Sequence, residues 1–256
     1  GPAGAPAAKT VADLLCGPSG YDAKSTLEAM GPGIAGDLVG GFASRSPEAK
    51  AQLLGVLHEM GAEARPAIRI LVGALDDDRL DDAAANVLGK IGEPAVPALV
   101  DVLENGSDRA KEAAMDALER MGGGAAAGAM EALVEIHIES KVDRLRNLSF
   151  SKILQIKDGG VEAARKYMKS KDVAVRERAL NLLLRFGEEA IPEIIDALDD
   201  KETGIRTTAI RSLGDFGPEP HPLQGLLQHL HVLGAPLLVF TLGMVVRAHV
   251  LPRIRG

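Results

Sequence analysis

A large apolar residue followed by glycine recurs along this chain, at Met30-Gly31, Met60-Gly61, Ile91-Gly92, Met121-Gly122, Phe186-Gly187 and Phe216-Gly217. Successive glycines stand 30, 31, 30, 65 and 30 residues apart. The interval of 65 is two units whose shared boundary falls at Ile156-Lys157-Asp158-Gly159. Ahead of each glycine runs the same stripe: Leu53, Val56, Leu57, Met60, then Ala84, Val87, Leu88, Ile91, then Ala114, Ala117, Leu118, Met121, then Ala179, Leu182, Leu183, Phe186. The spacing i, i+3, i+4, i+7 predicts one buried face of an amphipathic helix. Glycine ends that helix because it takes the left-handed conformation without steric cost.

Five residues after the glycine comes proline, at Pro66, Pro97, Pro192 and Pro222. Proline suits a first helical turn, where its missing N–H would be unpaired anyway. Each unit is therefore helix A, a polar turn such as Asp76-Asp77-Asp78 or Asn105-Gly106-Ser107-Asp108, helix B, and glycine. A unit this small cannot bury its stripe alone, so neighbours must stack.

Segments such as GEPAVPALVDVLENGSDRAKEAAMDALERMG, residues 92–122, resemble the short HEAT-like repeats of phycobilisome-lyase-type proteins. The resemblance runs from Met30 to Pro222, with a degenerate unit before it (Ala23, Thr26, Leu27, Met30). It implies an all-α fold, a right-handed α-solenoid or superhelix of antiparallel helix pairs, with about seven HEAT-like repeats forming one continuous array. Tetratricopeptide and ankyrin signatures are absent. The expected organisation is a disordered or artificial start at 1–8, a repeat solenoid at 9–219, and an atypical apolar tail at 220–256.

One unit departs from the pattern. Residues 123–158 are long and lack the proline, and they gather Arg144, Arg146 and Lys152. The plain expectation is a longer helix or loop with a solvated basic face; the sharper one is a kink that shapes a binding surface. The tail departs further, since none of the 36 acidic residues lies beyond Glu219. Residues 232–246 are uncharged and mostly apolar. They read as a last helix pair or oligomer contact, as a shifted frame or artificial end, or as a membrane anchor, although the run falls short of the roughly 20 apolar residues a span needs.

Composition narrows the function classes. Hydrophobic residues make up 46% and charged residues 25%, an ordinary globular balance. A net charge of -7, 3% aromatic residues and no Trp disfavour nucleic acid as the partner and argue against the basic, aromatic-bearing surface of HEAT-like DNA glycosylases. The single Cys16 excludes an internal disulfide, fits a cytoplasmic location and reads as a core thiol. No phosphate loop, Cys-x-x-Cys pair or nucleophile elbow is present. Deoxyhypusine hydroxylase, another HEAT-like protein, holds iron with several His-Glu pairs. Here only His58-Glu59 occurs, and later units carry Gly89-Lys90 and Glu119-Arg120 instead. His58, His137 and His221 therefore read as surface residues, and no cofactor or metal is expected.

The resemblance implies that helix B lines the inner groove. Opposite its apolar stripe stand Asp82, Asn86, Glu112, Asp116, Glu119, Glu177, Asn181 and Arg211. These form the candidate partner-binding set: an acidic groove on a non-catalytic scaffold that engages a basic or mixed-charge protein segment. The alternative is an enzyme or accessory subunit of the bilin-lyase or hydroxylase kind. Arg176 and Arg206, 30 residues apart at the starts of B helices, are expected to pair with turn carboxylates such as Asp172 and stitch repeats together.

Overall fold

A computed structural model of the protein describes residues 34–40 and 42–215, together with Thr26. The leader 1–8, Cys16, most of the degenerate first unit, Gly217, His221, Pro222 and the tail at 220–256 lie outside the described residues. Within them the secondary structure is entirely helical. The α-helices are α1 Ala35–Leu38, α2 Pro47–Met60, α3 Ile68–Ala74, α4 Asp81–Ile91, α5 Val96–Asn105, α6 Asp108–Met121, α7 Gly123–Ala126, α8 Met130–Glu139, α9 Asp143–Ile156, α10 Gly160–Arg165, α11 Val173–Leu183, α12 Ile191–Asp196 and α13 Thr203–Asp215. Two compact units divide between Asp158 and Gly159.

In the first unit α2, α4, α6 and α9 are B helices stacked in order, each against the next. The A helices α3, α5 and α8 form the second layer, and each contacts the B helix that follows it. In the second unit α10 pairs with α11 and α12 with α13, and α11 also packs on α13. This is a repeat-packed solenoid of antiparallel helix pairs.

The expected stripes form the core except at their ends, where Ile91 is buried but Met60, Met121 and Phe186 are only half-buried. Leu53, Val56, Leu57, Ala84, Val87, Leu88, Ala114, Ala117, Leu118, Ala179, Leu182 and Leu183 are all fully buried. Their partners on the A layer include Leu71, Leu75, Leu99, Leu103 and Leu133. Each buried leucine contributes about 1.5–3 kcal/mol through removal of apolar area from water. Small residues set the spacing: Ala64, Ala95, Ala129 and Ala190 occupy one equivalent position and are fully buried. The equivalent residue of the unit after Gly159 is Gly160, where a Cβ would lie 2.1 Å from the Phe186 ring. The phenylalanine fills the space that alanine takes elsewhere.

Three B helices, α2, α6 and α11, start on side-chain caps, whereas α4 and α9 follow Leu80 and Val142 without one. Ser46 accepts from the Ala49 N–H, Ser107 from Ala110 and Asp172 from Ala174. Each cap contributes about 0.5–2 kcal/mol. They end at glycine, as expected, but not in the left-handed helical conformation. Gly61, Gly92 and Gly187 combine φ of 56°, 77° and 65° with ψ of -128°, -147° and -132°. That extended region at positive φ is open essentially to glycine alone, which makes the requirement stricter.

The worn boundary is real. Lys157 has φ 61° and ψ -46°, and the Asp158 N–H donates to the Ile156 carbonyl at 2.8 Å, closing a three-residue γ-turn. Gly159 follows at φ 76°.

The long unit carries its extra residues in α7 and the short 3-10 turn Ala127–Ala129, before an ordinary pair α8 and α9. Arg144, Arg146 and Lys152 do not make a shared basic face. Arg144 is exposed, Arg146 turns back to the Ser140 carbonyl at 3.0 Å, and Lys152 is 5% exposed. His137 is also not a plain surface residue: it stacks on Phe150 at 5.0 Å and its Nδ1 lies 3.1 Å from the Arg146 carbonyl oxygen.

Candidate functional site

The outward face of the B helices α4, α6 and α9 gathers five of the eight candidate residues: Asp82, Asn86, Glu112, Asp116 and Glu119. None is buried. Alanine and glycine bring these helices close enough for their side chains to meet. Gly89 on α4 lies where a Cβ would come 2.7 Å from the Cβ of Arg120 on α6. That approach lets Arg120 reach Asp82.

The pattern of pairing is regular. Asp81 and Asp82 on α4 meet Arg109 (3.1 Å) and Arg120 on α6. Glu112 on α6 meets Arg144 on α9 at 2.7 Å. Asp116 (3.6 Å) and Glu119 on α6 meet Lys152 on α9. In every case the carboxylate stands on the earlier helix and the cation on the next. Gln155 adds a hydrogen bond to Glu119 at 3.3 Å, and Asn86 donates to Asp82 at 3.5 Å.

This face is mixed in charge. Five carboxylates (Asp81, Asp82, Glu112, Asp116 and Glu119) meet four cations (Arg109, Arg120, Arg144 and Lys152). The unit whose basic residues looked separate in sequence supplies two of those cations. Between α4, α6 and α9 lies a cleft of about 410 Å³ lined by Asp82, Arg109, Glu112, Asp116 and Arg144. A second hollow alongside it reaches Asn147, Leu148 and Ser151.

The pairs differ in character. The Arg144 side chain is 78% exposed, so its bond to Glu112 is solvated and exchangeable. The Lys152 side chain is 6% exposed and depends on Glu119, with Asp116 farther off, for its charge balance. The Lys152 ammonium holds the Glu119 carboxyl below its ordinary value, chiefly by hydrogen bonding.

Glu177, Asn181 and Arg211 lie on α11 and α13 of the second unit and are exposed. Within that unit the charges concentrate at the turns instead. Arg176 forks onto Asp200 of the following turn at 2.8 and 2.9 Å and also donates to the Ser170 carbonyl at 3.0 Å. It therefore stitches repeats, though through Asp200, because Asp172 is occupied as the helix cap. Hydrogen bonding from Arg176 holds the Asp200 carboxyl low. Arg206 donates to the carbonyls of Asp200 (2.8 Å) and Lys201 (2.9 Å) and to Thr203 Oγ1 (2.9 Å). Arg146 uses the same backbone contact one unit earlier. The 30-residue spacing of Arg146, Arg176 and Arg206 was the available signal for that contact.

Chemistry beyond ion pairing is sparse among the described residues. No group of three or more His, Cys, Asp or Glu is placed to hold a metal. His58 meets only its neighbour Glu59 at 3.7 Å. No described helix is long and apolar enough to cross a membrane, and residues 232–246 lie outside that description.

Comparison with known proteins gives two family matches. A model of HEAT repeats matches residues 161–232, and one of the PBS lyase HEAT-like repeat matches residues 82–105. No curated protein matches the sequence. Among solved structures, one engineered protein is 22% identical, covering 71% of this chain and 96% of its own, with a TM-score of 0.37. Another is 21% identical, covering 93% and 72%, with a TM-score of 0.38. A designed armadillo repeat protein in complex with the peptide (KR)4 is 16% identical, covering 72% and 99%, with a TM-score of 0.34. The stacked helix pairs and the two repeat models agree on one conclusion: the chain has an all-α HEAT/armadillo-like repeat architecture, consistent with repeats of the phycobilisome-lyase kind.

Proposed function

We propose that the chain is a non-catalytic protein-binding scaffold, and that the B-helix face of α4, α6 and α9 engages an extended segment of basic or mixed charge. The observation that carries this reading is the Glu112–Arg144 pair, its cation exposed, that lines the cleft between α4, α6 and α9. A solvated pair of this kind contributes about 0–1 kcal/mol, so a partner can exchange it at little cost. An incoming cation takes Glu112 and Asp116, while an incoming carboxylate takes the released Arg144. Five carboxylates against four cations leave the face slightly acidic, which suits mixed charge better than a purely basic segment. Complementary charge of this sort chiefly raises association rate and specificity, and its effect weakens with salt.

The structure also decides which residues can test the idea. Reversing Glu119, the nearer of the two carboxylates on the buried Lys152 ammonium, would strand that charge, so Glu119 is unsuitable, whereas Asp116 stands farther off at 3.6 Å. The informative variant is D82K/E112K/D116K, with D101K/E104K/E135K on the A helices as control. The first should abolish partner capture at moderate salt while the second retains it, both with wild-type helicity by circular dichroism. Equal capture by both would refute the assignment.

A further inference from the structure

One carboxylate in the second unit breaks the internal pattern of the repeats. Three residues after the small residue at Ala64, Ala95, Ala129 and Gly160 stands alanine, at Ala67, Ala98, Ala132 and Ala163, but three residues after Ala190 stands Glu193. Ala67, Ala132 and Ala163 are buried, and Glu193 is buried as deeply, at 5% exposure. A carboxylate at such a position costs free energy unless its oxygens are matched. Arg165, on the preceding A helix, donates from Nε to Oε1 at 2.6 Å. Oε2 is buried and has no hydrogen-bond partner.

Glu193 lines a cavity of about 910 Å³ between the turn that precedes α11 and the turn that precedes α13. Met168, Val173 and Ala197 give that cavity apolar lining, and Val173 is one of two large apolar side chains left exposed among the described residues. Five basic and five acidic side chains complete the wall, so the lining as a whole is neutral. Two of the basic ones are already committed, Arg176 to Asp200 and Arg165 to Glu193. The deepest of the acidic groups is therefore the one with an oxygen still to match.

We propose that this cavity binds a lysine side chain presented by an extended polypeptide, with Glu193 as the recognising carboxylate. The chemistry selects an ammonium. A guanidinium binds a carboxylate best as a fork that uses both oxygens, and Arg165 already holds Oε1. A compact ammonium needs only Oε2, which has almost no accessible surface and is reached as the lining side chains over it shift, and Asp196, one turn along α12 on the same wall, supplies a second negative charge. The four-carbon stem of lysine lies against Met168, Val173 and Ala197, as such stems do on apolar surface. The site lies wholly in the second unit and does not depend on the B-helix face of the first.

The test is fluorescence anisotropy with a labelled pentapeptide carrying lysine between alanines, against the same peptide with norleucine, acetyl-lysine or arginine. The wild type should prefer lysine over the other three by about tenfold or more, a difference of about 1.4 kcal/mol. E193Q, which keeps the shape, and E193A, which restores the residue used by the other repeats, should both lose that preference. D82K/E112K/D116K should keep it, which separates this site from the B-helix face. An absence of lysine preference in the wild type, equal binding of arginine, or unchanged preference in E193Q would each overturn the proposal and leave Glu193 as an internal partner of Arg165.

Discussion

The two units use charge in opposite ways. In the first, carboxylates and cations meet across successive B helices, largely in solvent at Arg144 and with Lys152 as the buried exception. In the second, they meet at the turns and largely out of solvent, as with Arg176 and Asp200, whose side chains are 11% and 8% exposed. The same stacking of alanine and leucine therefore supports two kinds of ion pair. Exposed pairs contribute little to stability and stay available to a partner. Pairs at the turns fix the register of one repeat on the next, and a group such as Glu193 is then conspicuous because it is only half matched.

The largest expected effects are those the two units share. L118A in the first and L183A in the second should each cost about 2–5 kcal/mol in urea unfolding, because both side chains are fully buried in stacking layers. A cost within error at either site would mean that this unit is not held by its stripe. G160A comes next, at about 1–3 kcal/mol of overpacking against Phe186. The double variant G160A/F186L should recover part of that loss, whereas no recovery would place the strain elsewhere.

Smaller effects separate the two kinds of pair. E119Q should cost about 1–3 kcal/mol, because it removes the charge partner of a buried ammonium, while E112Q should change unfolding by less than about 1 kcal/mol. Equal costs would erase the distinction drawn between them. Acid dependence sharpens it further. Glu119 and Asp200 both have carboxyls held low in the folded state, so their stabilisation is present above the ordinary carboxylate range, near pH 4, and is lost as pH falls through the lowered folded value. D200N should flatten the acid limb of stability more than E119Q, since Asp200 also accepts the Glu202 N–H at 2.8 Å. The reverse order would indicate that the Lys152–Glu119 pair of the B-helix face, not the turns, carries the acid sensitivity.

How far the sequence foretold this follows from what each feature depends on. The fold was legible because the Met60-Gly61 type of junction and the stripe behind it are local signals, repeated often enough to expose the two-unit gap around Gly159. The outward positions of Asp82, Glu112, Asp116 and Glu119 were legible for the same reason, since helical phase places them opposite the core. Their neutralisation was not. Each cation sits 28 to 38 residues further on, and pairing across that distance depends on helix spacing set by residues such as Gly89. The basic cluster around Arg144 therefore looked like a separate face when it was the next rung of the same ladder. Glu193 did leave a trace, because Pro66-Ala67 and Pro97-Ala98 give way to Pro192-Glu193. Nothing in one sequence said that the glutamate would be buried.

The measurement that bears most directly on the scaffold reading is partner capture by the wild type, D82K/E112K/D116K and D101K/E104K/E135K across a salt series. The account predicts that the wild type and the A-helix control retain partner at moderate salt and release it progressively as salt rises, while the B-helix variant captures none at any salt. Capture by the B-helix variant equal to wild type, or capture by the wild type indifferent to salt, would contradict a binding surface built from exchangeable charge pairs.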